Sequence, residues 1–581
     1  MDNYRLLLAF LISLAIIVLY SQLVQWRLQN ANQSKQGEPV SSAKNPGGAE
    51  TASPMAGTTP QTMGSPIAGA APSSETAGAS RPGTPNGPRS APPTAMVSAM
   101  TSAMTPEHLI EVDTSFYKAT LTTQGARLKS FLLKGYKATN APDSPPYEIV
   151  RPGDRLPMGL VVQRGDTLLD DSGVSYTTTA PARIRVMPGQ DVTVTFTGET
   201  ERGFKLEKSF KFPYSDYVFA TAAHATPTDG SLAAVGLTIS QPLKELAGFR
   251  DYPELQADVT AKAFNESEKT LEKGIPPLSG PIAYAGFGDR YFLAAVLPEQ
   301  PTTGTLQMDY AGDEAHARLI FPGATAVRAR VYMGPKAVDL LEAASPALSK
   351  AIDFGWAGFI ALPFLRGLKL LYRVAPNYGV DIILLTVVVR LLTLPMSIKG
   401  QRSMIRMQRL QPQVERIREK FKDDQERLNR EMVDLYKRNH VNPLGGCLPM
   451  VVQLPVFFGL YEALLNAVEL RQASFVGWMA DLSAPDCLPI PGMPPISFLP
   501  CAGIPVLVIL MAGTAFLQQW MSPKQPDPNQ QKMMMYMPVA FSVIFINLPA
   551  GLTLYYLASN LLGIAQQFVL NREFKQHTPV T

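Results

Sequence analysis

The residue best placed to do chemistry is Arg390, inside a stretch, Val380 to Met396, that otherwise reads as a membrane span. A charge at that depth costs roughly 2.5–3.5 kcal/mol on insertion scales, so it requires a reason to be there. Two readings stand. In the first the guanidinium snorkels, since only six residues separate it from Met396, roughly 9 Å along a helix. In the second it lies on the wall of a water-filled cavity within the protein. Thr386, one turn earlier, extends a polar stripe on the same face and favours the cavity. The chemistry on offer is attraction of anionic groups.

Other chemistries lack their residues. The 581-residue chain has five histidines and three cysteines, scattered without metal-ligand spacing. It contains no GxxxxGK[ST], no GxGxxG after a strand and no GxSxG. No cofactor, no metal and no enzymatic activity are expected. The net charge of +4 argues against direct nucleic-acid binding. That surplus is concentrated: Lys399 to Val441 holds twelve basic and seven acidic residues, a local +5, which leaves −1 for the rest.

The elements that must position Arg390 follow from composition. Leu6 to Tyr20 is nearly all apolar and continues through Trp26. A cleaved signal peptide begins the same way, but no small-x-small cleavage site follows, so residues 1–29 are expected to be an uncleaved anchor. Residues 30–105 are rich in Pro, Gly, Ala, Ser and Thr and read as a disordered tether, too poor in apolar surface to offset chain entropy. Residues 106–346 change to short alternating runs such as Asp191 to Phe196, Phe204 to Phe212 and Val327 to Tyr332. Such runs bury one face and wet the other, as in a large β-sandwich.

From residue 347 the chain becomes a membrane protein. Residues 347–373 are apolar and aromatic but broken by Pro363, Arg366 and Lys369. A span there would send the basic 399–441 segment outside, against the positive-inside rule, so an amphipathic interfacial helix is expected. Residues 374–571 hold five spans, at about Tyr378–Met396, Leu444–Val468, Gly503–Trp520, Met533–Leu548 and Leu552–Leu570. With the anchor that makes six, placing both termini and a short tail at 572–581 in the cytoplasm, and residues 30–350 in the periplasm. The last two spans form a tight hairpin at Pro549 to Gly551 and are short for a core of about 30 Å. Within 399–441, Met404, Met407, Leu410, Val414, Ile417 and Phe421 recur at helical spacing, as do Leu428, Met432 and Leu435. Two amphipathic helices folded as a hairpin are expected, with Pro412 kinking or restarting the first. Their charged faces either are simply solvated or meet a ribosome, a targeting receptor or a nascent chain.

Several strings in this half resemble the YidC family of membrane protein insertases. They are Leu385-Thr-Val-Val-Val-Arg390, Asn442-Pro-Leu-Gly-Gly-Cys-Leu-Pro449, Gln453-Leu-Pro-Val-Phe457, Glu469-Leu-Arg-Gln-Ala473 and Gly551-Leu-Thr-Leu-Tyr-Tyr556 with Ser559-Asn560, beside Asp353-Phe-Gly-Trp356. The strand-rich region resembles the family's periplasmic β-supersandwich through Val331-Tyr-Met-Gly-Pro335. The resemblance implies a multi-domain membrane protein, with an α-helical six-span membrane core plus an all-β periplasmic supersandwich domain. It implies a monomeric inner-membrane insertase that handles nascent membrane proteins, alone or with the Sec translocon, through a hydrophilic groove. The groove arginine falls on Arg390; Thr386, Gln453, Phe457, Tyr556 and Asn560 correspond to groove-wall positions. Two features depart from the family. The tail Asn571 to His577 is barely basic, which disfavours ribosome contact through it. The segment Cys487 to Cys501 is longer than the family loop, and both cysteines face the oxidising periplasm in this topology, so a disulfide is expected between them.

Two other classes remain open on the residues alone. A secondary transporter would use Arg390 to bind a small anion, but no internal repeat or coupling-ion partner is evident. A chaperone would instead work through its β domain.

Overall fold

The computed structural model describes residues 97–576, apart from 103–105, 142, 152, 154, 202, 229–233, 243–252, 312, 442–447, 495–498, 500–501 and 523–527. The expected anchor at 1–29, the tether up to 96, Cys447, Cys501 and residues 577–581 lie outside them.

Strands fill the region from Val97 to Pro335 because apolar and polar residues alternate there. Phe204–Pro213 is representative: Phe204, Leu206, Lys208, Phe210 and Phe212 turn inward while their neighbours are more exposed. Among the described residues the strands form one 14-stranded and one five-stranded sheet, with a further two-stranded ribbon elsewhere. The smaller sheet is centred on Tyr117–Thr122 and Arg127–Lys137. Aromatic rings fasten it to the larger one, with Phe131 and Phe219 centroids 6.1 Å apart and Tyr117 and Phe212 6.4 Å apart. This is the expected all-β sandwich. One boundary differs. Val97–Thr101, inside the stretch read as tether, is a strand paired in parallel with Thr167–Gly173, and Met100 is fully buried. The window is free of Gly and Pro and carries Val97 and Met100, so it can join a ladder where the residues before it cannot.

The inward row of Phe204–Pro213 includes a lysine, which periodicity alone marks as anomalous. Lys208 Nζ donates to Gly125 O and Met158 O, each at 2.7 Å, and pairs with Asp171 at 3.0 Å. Arg127 Nη2 pairs with Asp170 at 2.7 Å and Asp171 at 2.8 Å. The four charges cancel, and all four side chains are almost wholly buried. Burial pushes the Lys208 ammonium down to about 8, against the pull of Asp171. Burial also opposes the charge on Asp170, yet Arg127 and Ser172 hold its pKa below the usual carboxylate value.

After α1 (Val338–Ala344) comes α2 (Gly358–Tyr372), which buries Ala361, Leu365 and Leu368 and exposes Phe359 and Leu370. The burial of this helix is one-sided. The chain then enters α3 (Tyr378–Arg409), capped by Asn377 Oδ1, which accepts from the amides of Gly379 and Val380. Two short helices follow, α4 (Gln411–Lys420) and α5 (Gln425–Arg438). Pro412 restarts the helix in its first turn, and Asp424 caps α5 by accepting from Arg427 N at 3.0 Å. The remaining helices are α6 (Leu448–Asn466), α7 (Val506–Met521), α8 (Pro528–Ser542) and α9 (Ala550–Gln576).

Among the described residues α3 is the one helix both long and apolar enough to cross a bilayer; Val506–Met521 and Met534–Asn547 are shorter apolar helices. A 16-residue helix such as α7 reaches only about 24 Å against a core of about 30 Å. In α9 the run is diluted by Ser559, Asn560, Gln566 and Gln567.

A loop after α6 ties the two halves together. Arg471 donates to Lys137 O at 2.8 Å and Ala138 O at 3.1 Å, and its guanidinium lies over Tyr147 and Phe292. The same loop holds the N-terminal ends of α9 and α7: Ala484 O and Leu482 O accept from Ala550 N and Gly551 N, and Asp486 accepts from Leu507 N. Cys487 is disulfide-bonded, and beside it Leu488–Pro489 pairs with Gly503–Ile504.

Candidate functional site

Helices α3 and α9 lie side by side, and Arg390 bridges them at mid-length. Its Nε donates to Ser559 Oγ at 2.9 Å and its Nη2 to Ser559 O at 2.7 Å. Ser559 is buried, whereas Arg390 is only half-buried. Among the described residues no carboxylate pairs with this cation. A guanidinium held by neutral oxygens keeps its charge available to a visiting anion.

Thr386 departs from expectation. It is fully buried, and its hydroxyl donates to Ile382 O at 2.6 Å within its own helix. Threonine next to an apolar neighbour satisfies itself this way, so Thr386 adds no polar group to a stripe with Arg390. Gln453 on α6 donates to Tyr555 Oη at 2.9 Å. Phe457 is buried in an aromatic wall, its ring centroid 5.6 Å from Tyr556, which lies 4.9 Å from Phe545. Asn560 reaches α7, donating to Met511 O at 3.3 Å. An open cavity of about 240 Å³ lies between α7, α8 and α9, with Gln518, Ser522, Phe541, Tyr556 and Asn560 in its lining.

Arg390, Gln453, Phe457, Tyr556 and Asn560 therefore converge on α9, and Thr386 does not join them. The sequence reading passed over Ser559 and Tyr555, the groups that hold Arg390 and Gln453. Their four-residue separation puts them on one helix face, a periodic signal hidden in a run that otherwise reads as apolar.

Known proteins share this arrangement of halves. Residues 109–366 match the model of the YidC periplasmic domain, and residues 370–577 match that of the 60Kd inner membrane protein. The chain is 36% identical over 489 residues to the membrane protein insertase YidC of Syntrophus aciditrophicus (strain SB), across 80% of this chain and 85% of that one. It belongs to the YidC family of membrane protein insertases. A YidC from Nitratidesulfovibrio vulgaris (strain DP4) is likewise 36% identical over 497 residues, across 80% of this chain and 87% of its own. A solved structure, described as an active YidC insertase crystal structure with the first transmembrane domain resolved, aligns over 80% of this chain and 92% of its own, at 19% identity and a TM-score of 0.35. These relatives are named for insertion rather than for an enzymatic reaction, and the strand-rich half of the chain is the family's periplasmic domain.

Proposed function

We propose that this chain inserts and helps fold newly made inner-membrane proteins along a hydrophilic groove centred on Arg390, alone or with the Sec translocon. The observation that carries the groove reading is a half-buried guanidinium whose partners are the hydroxyl and carbonyl of Ser559. A substrate's polar tail must cross hydrocarbon, where unsatisfied peptide groups cost several kcal/mol each. A wet half-channel shortens that dry path, and Arg390 draws acidic residues of the tail into it. Phe457 and Tyr556 line the apolar side, along which the substrate's own span passes toward lipid, driven by burial at about 25 cal/mol per Å². Gln453 and Asn560 brace the wall; Thr386 supports it by packing.

The topology that fits this reading has six spans counting the anchor at 1–29, with both termini cytoplasmic, a tether and β domain together spanning 30–346 in the periplasm, an interfacial segment at 347–373 and the insertase core at 374–571. In it the 399–441 hairpin faces the cytoplasm, where a ribosome or targeting receptor would meet it. Support comes from α5, which buries none of its residues and exposes Val433. A disulfide from Cys487 to Cys501 would close the outer loop and contribute about 3 kcal/mol. The protein would act as a monomer with no cofactor.

The test is insertion into liposomes of a single-span protein with an acidic translocated tail, scored by protease protection. Arg390→Ala is expected to lower protection of acidic tails about tenfold, the factor that 1.4 kcal/mol makes, and of neutral tails much less. Equal losses for both tails would end the charge-attraction reading.

A further inference from the structure

The seam between α3 and α9 does not stop at Arg390. Two turns further along both helices, Gln566 Nε2 donates to Ser397 Oγ at 3.0 Å and to Gln401 Oε1 at 3.3 Å. Gln401 Nε2 in turn donates to Gln567 Oε1 at 2.8 Å. Gln567 is buried and donates onward to Met521 O of α7 at 3.3 Å. Gln518 lies so close to Gly563 that a Cβ there would come within 2.5 Å of its amide nitrogen. Ser397 and Gln566 each follow the Arg390–Ser559 pair by seven residues, which returns them to the same helix faces.

We infer that Gln401 and Gln566 form a second, charge-independent part of the insertion path, a rack of side-chain amides that trades its hydrogen bonds for those of the substrate's peptide groups. The inference rests on the groove reading above. A primary amide offers the same donor and acceptor as a peptide group. Replacing an amide–amide bond by an amide–peptide bond therefore exchanges like for like, whereas a peptide group left unpaired in hydrocarbon is strongly disfavoured. Gln401 and Gln566 are half-buried and can be reached. Gln567 is not, and serves as the brace that fixes the rack to α7. In the proposed topology the rack stands at the cytoplasmic mouth of the groove, with Gln566 inside the last span and Gln401 just past the end of the α3 span, so a polar tail meets amides before it meets charge. Arg390 would select by charge; the rack would respond to the number of peptide groups needing partners.

The experiment uses the full chain in liposomes and four substrates whose translocated tails are short or long, acidic or neutral. Gln401→Met with Gln566→Met keeps side-chain length and removes the hydrogen bonds. Protection of long tails is expected to fall about tenfold, equivalent to 1.4 kcal/mol, equally for acidic and neutral tails, and that of short tails less than twofold. Restoring amides as Gln401→Asn with Gln566→Asn is expected to recover part of the loss, which a packing defect would not allow. Long-tail insertion at the wild-type level in the methionine variant, or a loss that follows charge, overturns the inference. If the methionine variant does not fold, a photo-crosslinker at position 566 decides instead: adducts with the polar tail of a stalled substrate support the rack, and their absence while position 390 gives adducts overturns it. A wild type that inserts none of the four substrates would bring down the groove reading itself, a result distinct from either.

Discussion

Arg127, buried in the β domain, and Arg390, half-buried between helices, differ in the charge of the groups that hold them. Arg127, in the β domain, meets Asp170 and Asp171 and shares Asp171 with Lys208, so its charge is cancelled where it lies. Arg390, between membrane helices, meets among the described residues the hydroxyl and carbonyl of Ser559 and no carboxylate. A buried charge with its counter-charges is part of the packing. A charge left without one keeps its field unspent, as the proposed groove requires. The difference teaches that depth of burial does not separate a structural cation from a functional one; the charge of its partners does.

The sharpest way to break the comparison is to remove both cations alike. Arg127→Met would strand Asp170 and leave Asp171 to Lys208 alone, and is expected to destabilise the β domain by about 3–5 kcal/mol. Arg390→Met would free one hydroxyl and one carbonyl and cost about 1–2 kcal/mol. Thermal unfolding of the purified protein would measure both, and equal losses would erase the distinction. A buried histidine in the β domain sharpens it. Burial lowers the His316 imidazole to about 4, with Ser240 Oγ 2.8 Å from its Nδ1. Below the unfolded value of about 6.5 the unfolded chain gains a proton that the folded one refuses, so stability falls between pH 6.5 and 4 by about 3 kcal/mol. His316→Gln should flatten that part of the pH–stability curve.

Arg471 tests the join between the halves. Arg471→Ala is expected to weaken docking of the β domain by about 2 kcal/mol. Hydrogen exchange should then quicken at 137–140 and 469–481, and Arg471→Lys should restore little of the protection because the planar fork is lost. Unchanged exchange would mean that the join is held elsewhere. The smallest effect belongs to Arg390→Lys, which keeps position and charge and should retain most insertion of acidic tails in the liposome assay.

Much of the membrane half was legible because it obeys one-dimensional rules. A run of apolar residues gives a helix, Pro412 marks a restart, and a lone Arg390 in such a run stands out without any structure. The β half was legible as a class, through alternation, but its edge strand Val97–Thr101 was not, because pairing with Thr167–Gly173 is a contact made far along the chain. Thr386 misled for a related reason. Its type and spacing fit a polar stripe, and only the position of Ile382 O shows that the hydroxyl is already satisfied. Lys208 lies on an inward row, and nothing local names Asp171 as its partner.

By itself the sequence determined that this protein is two unlike things joined: an all-β domain, and apolar helices with one cation in their midst. Periodicity and composition are local properties, and each window of the chain carries its own. The tertiary structure alone decided which buried charges cancel, which polar side chains of α9 face α3, and that Arg471 bolts the β domain to the loop holding the helix ends. Those depend on distances between residues far apart in the chain, and electrostatic energy follows distance in space, not separation in sequence.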